Sequence, residues 1–385
     1  MNRIRRLIIC AMIATIALAA VAAVATPLSA GAGNASKTAV VTPYTARTGN
    51  ASTAADKTTP IVGAGTWHNQ VVDSTGNIDG STSLQLTPTG WPAISYYDSS
   101  DGTLKYTYKD AAGWHIQTVD IGGGDTSLQL TPTGWPAISY GSSSSLKYAY
   151  KDASGWHTQV VDSGGTVGAY TSLALTPTGW PAISYFDETN GDLKYTYKDA
   201  SGWHTQVVDS AGVVGIHTSL QLTPTGWPAI SYFDYTNYNL KYAYKDSTGW
   251  HIQVVDSVGK YGGDTSLQLT PTGWPAISYY DSRNGTLEYT YKDASGWHNQ
   301  VVDSGGYVGQ YTSLQLTPTG WPAISYCDGT NGTLKYTYKD ASGWHNQVVD
   351  SGGAYTSLQL TPTGWPAISY HGSDYDLKYT YKSAS

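Results

Sequence analysis

From Thr82 to Tyr96 the chain reads Thr-Ser-Leu-Gln-Leu-Thr-Pro-Thr-Gly-Trp-Pro-Ala-Ile-Ser-Tyr, and this stretch, with one variable position after Leu84, occurs seven times. Leu84 and Leu86 alternate with polar neighbours, which is the two-residue period of a strand. Pro88-Thr89-Gly90 supplies turn chemistry. Trp91 to Asp98 then reads as a second strand. Working outward, Ser99 to Thr103 is a polar turn. Leu104, Tyr106 and Tyr108 alternate with Lys105, Thr107 and Lys109 in a third strand. Asp110 to Gly113 turns the chain into a fourth strand, from Trp114 to Asp120. We label these positions A to D. No helical periodicity follows the first 30 or so residues.

The tryptophans of the quoted motif are Trp91, Trp135, Trp180, Trp227, Trp274, Trp321 and Trp365. A second motif, Trp-His, recurs at Trp67, Trp114, Trp156, Trp203, Trp250, Trp297 and Trp344, and the two sets account for all 14 tryptophans. A period of about 45 residues with four short strands per unit predicts a propeller blade. The ends decide how such units assemble. The first element is a lone strand D, Trp67 to Asp73, and the last unit stops after strand C. An open β-solenoid would want distinct caps instead. The expectation is therefore an all-β, seven-bladed β-propeller of four-stranded antiparallel blades over residues 61–385. The N-terminal strand would complete the last blade and close the ring.

The repeat Pro-Ala-Ile-Ser-Tyr-Tyr-Asp, followed by Leu-Lys-Tyr and Gly-Trp, is similar to blades of lectin-like and sialidase-like propellers. The chain resembles secreted bacterial seven-bladed propellers built from nearly identical blades. That resemblance implies a fold and leaves the function open, because propellers host lectins, hydrolases, lyases and scaffolds alike.

Ahead of the repeats, Arg3, Arg5 and Arg6 precede an apolar run from Leu7 to Ala25. Residues 1–32 read as a secretory signal peptide, with Ala23-Val24-Ala25 and Ala30-Gly31-Ala32 as small-x-small cleavage sites. The competing reading is an uncleaved anchor. Residues 33–60 are rich in Ala, Thr, Ser and Gly without periodicity and read as a flexible linker. A secreted location follows, with no membrane insertion once the leader is removed.

The formal net charge is -7 and charged residues make up 13 %. Loss of the three leader arginines would bring the charge to about -10, which argues against a nucleic-acid partner. Two cysteines, Cys10 and Cys327, exclude a disulfide framework and a Cys-rich zinc site. A carboxylate-clamping sialidase site needs several arginines, yet only Arg283 lies beyond residue 60. The only glutamates are Glu188 and Glu288. The Asp-box pattern is not reproduced. Seven histidines, one per Trp-His motif, would be spread around the ring and could not converge on one metal ion. Asp98, Asp187, Asp234, Asp281 and Asp328 precede turns and read as hairpin caps. No nucleotide loop or nucleophile motif occurs, so no catalytic residue, metal or cofactor is expected.

Two binding surfaces are candidates. The first is the ring of Gly-Trp-Pro tryptophans, where an indole can stack on a sugar ring and weak sites gain avidity by repetition. Packing between blades is the competing role for these indoles. The second lies on the face where the B–C and D–A loops vary. There Ser81, Asp125, Tyr170, His217, Asp264, Tyr311 and Tyr355 precede strand A and would line a central mouth, and aromatic and carboxylate groups around a concavity suit a sugar or peptide. The expected partner is a glycan or, second, an extracellular protein gripped by the variable face. The chain is expected to act as a monomer.

Overall fold

A computed structural model describes residues 65–260 and 262–384. The signal peptide and linker expected over residues 1–60 lie outside the described residues. Those residues form 28 strands and no helix, arranged as seven antiparallel four-stranded sheets. The protein is a seven-bladed β-propeller. In the first blade the strands are Ile78–Leu86, Pro92–Asp98, Thr103–Asp110 and Gly113–Ile121. In the seventh, Ala354–Leu360, Pro366–His371 and Leu377–Ser383 are completed by Thr66–Asp73 from the other end of the chain. Trp67 pairs with Lys382 and Gln70 with Tyr379. The ring is closed, so neither end leaves an open sheet edge between the first and last blades.

The core is seven copies of one interblade packing. Ile94, Tyr96, Leu84 and their counterparts are fully buried, and each cluster draws on two successive blades. A buried phenol must place its hydroxyl. Each strand-B tyrosine donates to the aspartate that ends strand D of the preceding blade, as from Tyr96 to Asp73 at 2.7 Å and from Tyr232 to Asp209 at 2.7 Å. In every blade but the fifth, where Glu288 takes its place, a strand-C lysine neutralises these carboxylates. Lys241 Nζ lies 3.1 Å from Asp209 and 2.8 Å from Asp234. Asp187 and Asp234 also accept the backbone N–H groups of Asn190 and Asn237 in the B–C turns.

Around the axis a smaller repeat ties the blades together. The strand-A serines, Ser83 to Ser357, each accept the leucine N–H of the next blade at 2.9–3.0 Å. The last of these, Leu84 N–H to Ser357 Oγ, joins blade one to blade seven. With the neighbouring glutamines these serines line an axial cavity of about 140 Å³.

Strand A differs from its expected span. In the first blade it begins at Ile78, four residues before Thr82, and its register shifts between the two. In the third blade Ala169 pairs with Phe186 but Ser172 with Ser184, so one extra residue is accommodated as a β-bulge. Blades four, six and seven repeat the shift. The second and fifth blades lack this extension, and their inner strands begin at Thr126 and Thr265.

Candidate functional site

The two candidate surfaces lie on opposite faces, since the mouth residues precede strand A and the Gly-Trp-Pro turn follows it. At that turn Thr87 N–H donates to the Trp91 carbonyl at 2.8 Å, and Thr87 Oγ1 accepts the Trp91 N–H at 3.0 Å. Gly90 sits at φ 85°, with open space where a Cβ would project. This geometry recurs in all seven blades. The indoles beside it are partly exposed. Trp91, Trp135, Trp180 and Trp274 are each 40 % exposed and Trp227 39 %, while Trp321 and Trp365 are half-buried. None of these seven indole N–H groups makes a hydrogen bond among the described residues.

The Trp-His set is built differently. Trp114 Nε1 donates to Gln70 of the neighbouring blade at 3.3 Å, and its ring meets Tyr379 edge-on at 5.5 Å. Lys109 Nζ stands 5.5 Å from its centroid and donates to the same Gln70. The other blades repeat this packing, as in Trp156 on Tyr106 and Trp203 on Tyr148. The adjoining histidines stack on strand-C tyrosines, His115 on Tyr108 at 4.8 Å, and six of them bond to the C–D turn aspartate, as His115 does to Asp110 at 2.9 Å, while His68 meets Ser383 Oγ. The indoles of this set join blades, and the histidines brace the outer turns.

At the mouth the structure brings all seven expected residues into one annulus. Ser81 Oγ donates to Asp125 at 3.3 Å, and Asp125 Oδ2 accepts the Tyr170 N–H at 2.7 Å. The Tyr170 ring lies 4.5 Å from His217, and His217 Nδ1 lies 3.1 Å from Asp264. Asp264 Oδ2 accepts the Tyr311 N–H at 2.8 Å, and the Tyr311 ring lies 4.4 Å from Tyr355. The Tyr355 carbonyl accepts from Thr82 Oγ1 at 2.9 Å, which closes the circuit.

Four of these residues occupy the left-handed region: Tyr170 (φ 52°), His217 (53°), Tyr311 (56°) and Tyr355 (52°). Each sits in the strand-A bulge. A non-glycine residue there costs about 1–2 kcal/mol. Backbone strain of this kind collects where a side chain must be aimed. Burial raises the Asp125 carboxyl above its ordinary value, and burial with the nearby Asp125 does the same for Glu188. Burial, then the Asp125 and Asp264 charges, push the Tyr170 hydroxyl above the phenol range. Tyr355 responds likewise to burial and then to Asp79, Asp125 and Asp264. Sequence reading placed the ring of residues but missed the bulge, because nothing in a tyrosine or histidine announces a positive φ. The strand-B ends form a buried wall: Phe186, Phe233, Tyr280, Cys327 and His371 are at most 7 % exposed. His371, against Tyr355 at 5.0 Å, is held neutral by burial, with its pKa lowered to about 3.

No family model and no curated protein sequence matches the chain. Solved structures do share its fold. A streptogramin B lyase superposes with a TM-score of 0.58 at 9 % identity, over 82 % of this chain and 98 % of that one. A mutant of the Aleuria aurantia lectin AAL in complex with Fucα1-6GlcNAc gives 0.52 at 12 % identity, over 72 % and 98 %. An oligogalacturonate lyase in complex with manganese gives 0.55 at 13 % identity, over 83 % and 96 %. These likenesses show the propeller architecture and span both binding proteins and enzymes.

Proposed function

We propose that this protein is a secreted, non-catalytic carbohydrate-binding module whose sites are the seven Gly-Trp-Pro turns. One observation carries the reading: the partly exposed indoles stand in identical turns around one face with unbonded N–H groups, whereas the indoles of the Trp-His set are spent on interblade packing. An exposed indole offers a flat apolar face to sugar C–H groups and a donor at its edge. Single contacts of this kind are weak, and seven on a rigid ring gain by avidity when a ligand is itself repetitive. A lectin among the structural neighbours supports the reading as an analogy of architecture. The scarcity of arginine and glutamate supports a non-catalytic role.

A glycan array followed by tryptophan replacement tests this. Binding is expected to weaken stepwise as Trp180→Ala and Trp227→Ala are combined. A glycan held equally well by the double variant would remove these turns from consideration.

A further inference from the structure

From the opposite face we infer a second site: the central mouth binds a small organic ammonium ion, held between the Asp125 and Asp264 carboxylates and the surrounding aromatic rings. The inference is independent of the glycan reading.

The annulus is two copies of one unit. In the first, Asp125 accepts the Tyr170 N–H and the Tyr170 ring tilts by 50° on His217. In the second, Asp264 accepts the Tyr311 N–H and the Tyr311 ring tilts by 42° on Tyr355. Both aspartates follow Gly-Gly in the two blades whose inner strands lack the bulge. Each unit sets a carboxylate beside two aromatic rings.

The charge balance of this place differs from the rest of the fold. Outside blade five, where Glu288 replaces the lysine, the buried strand aspartates meet a lysine, as Asp187 meets Lys194 at 2.7 Å and Asp234 meets Lys241 at 2.8 Å. Among the described residues Asp125 and Asp264 have no lysine or arginine partner. Arg283, on a loop of this face, is engaged by Asp281 and the Ser257 carbonyl. Half-buried carboxylates whose nearby cationic group is a titratable histidine, His217, rather than a lysine or arginine favour an incoming cation. Aromatic faces around them favour an ammonium over a compact hydrated ion.

A separate observation comes from the wall. His371 is 4 % exposed and its Nε2 has no hydrogen-bond partner. The ring lies against Tyr355 with centroids 5.0 Å apart, and the Gly80 backbone approaches it. The corresponding position is Phe186 or Phe233 in other blades. A buried imidazole nitrogen left unpaired in the wall beside Tyr355 is a further polar group that a ligand of this mouth could satisfy.

The test is calorimetric titration of the purified chain with 1,4-diaminobutane and tetramethylammonium, beside 1,4-butanediol as the uncharged control. The diamine is expected to bind with one ligand per chain and at least tenfold more tightly than the diol. Asp125→Asn with Asp264→Asn keeps acceptor oxygens for the Tyr170 and Tyr311 N–H groups and is expected to weaken the diamine tenfold or more. An unchanged circular dichroism spectrum checks the fold of this variant. A lysine-bearing peptide tested alongside distinguishes a side chain from a free amine as the source of the ammonium group. Equal affinity for diamine and diol, or a folded double variant that binds the diamine as well as the parent, would overturn the inference.

Discussion

Asp125 Oδ2 accepts the backbone N–H of Tyr170 at 2.7 Å, from one blade to the next. Tyr170 holds a left-handed backbone, and this bond is what its N–H receives in return. Asp125→Ala would leave a half-buried donor unpaired and is expected to cost about 1–3 kcal/mol in urea unfolding. Asp125→Asn retains an oxygen and should cost less. An alanine variant as stable as the parent would show that the bulge holds itself.

Blade five breaks the lysine rule. Glu288 stands where six other blades carry Lys105, Lys147, Lys194, Lys241, Lys335 and Lys378. It is 7 % exposed and accepts from Thr286 Oγ1 at 2.8 Å. Burial, then Asp281 and Asp256, raise its pKa above 4.5. The folded form therefore favours the protonated acid, and stability is lost as pH rises from 4.5 through the folded value. Glu288→Lys would restore the charge pattern. It is expected to stabilise the protein by about 1–3 kcal/mol at pH 7, with the advantage shrinking toward pH 4.5. Unfolding midpoints across that range measure this; a constant or negative difference would contradict it.

His371 gives the opposite slope. Its pKa falls from 6.5 to about 3 because burial disfavours the imidazolium. The unfolded chain takes up the proton first, so stability is lost as pH drops below 6.5 toward the folded value. Between pH 7 and pH 5 this amounts to about 2 kcal/mol. His371→Phe, the residue found at Phe186 and Phe233, should lose less stability over that interval. Parallel urea titrations at the two pH values would show it, and identical losses would count against it.

The two tryptophan sets should separate stability from binding. Trp203→Ala removes an indole that meets Tyr148 edge-on at 5.5 Å and donates to Gln159. It is expected to cost about 3–5 kcal/mol. Trp180→Ala, at a 40 % exposed indole, should cost far less stability while reducing glycan binding. Equal thermal losses would mean that both sets are structural.

The architecture was legible because repetition states it seven times and the split ends specify closure. Trp67 to Asp73 without strands A to C can pair only with a unit that lacks strand D, and Trp67 does pair with Lys382. The mouth was legible as a set of residues because the positions before Thr-Ser-Leu fall on one rim. Its internal contacts were not. The Asp125 and Asp264 bonds run from side chain to backbone across blades, and the positive φ of Tyr170 and Tyr311 depends on register, which a strand pattern does not encode. The exposure of Trp91 was equally hidden, since an indole after a Gly turn can point either way. The buried tyrosine–aspartate bonds, such as Tyr96 to Asp73, join residues 23 positions apart through packing alone.

The most direct measurement is the calorimetric stoichiometry of a glycan identified on the array, titrated as a monovalent ligand. Equivalent sites at the Gly-Trp-Pro turns predict a value near seven, falling by about one with each Trp→Ala replacement at those turns. A stoichiometry near one, unchanged in Trp180→Ala, would contradict the central claim and move sugar recognition to the mouth.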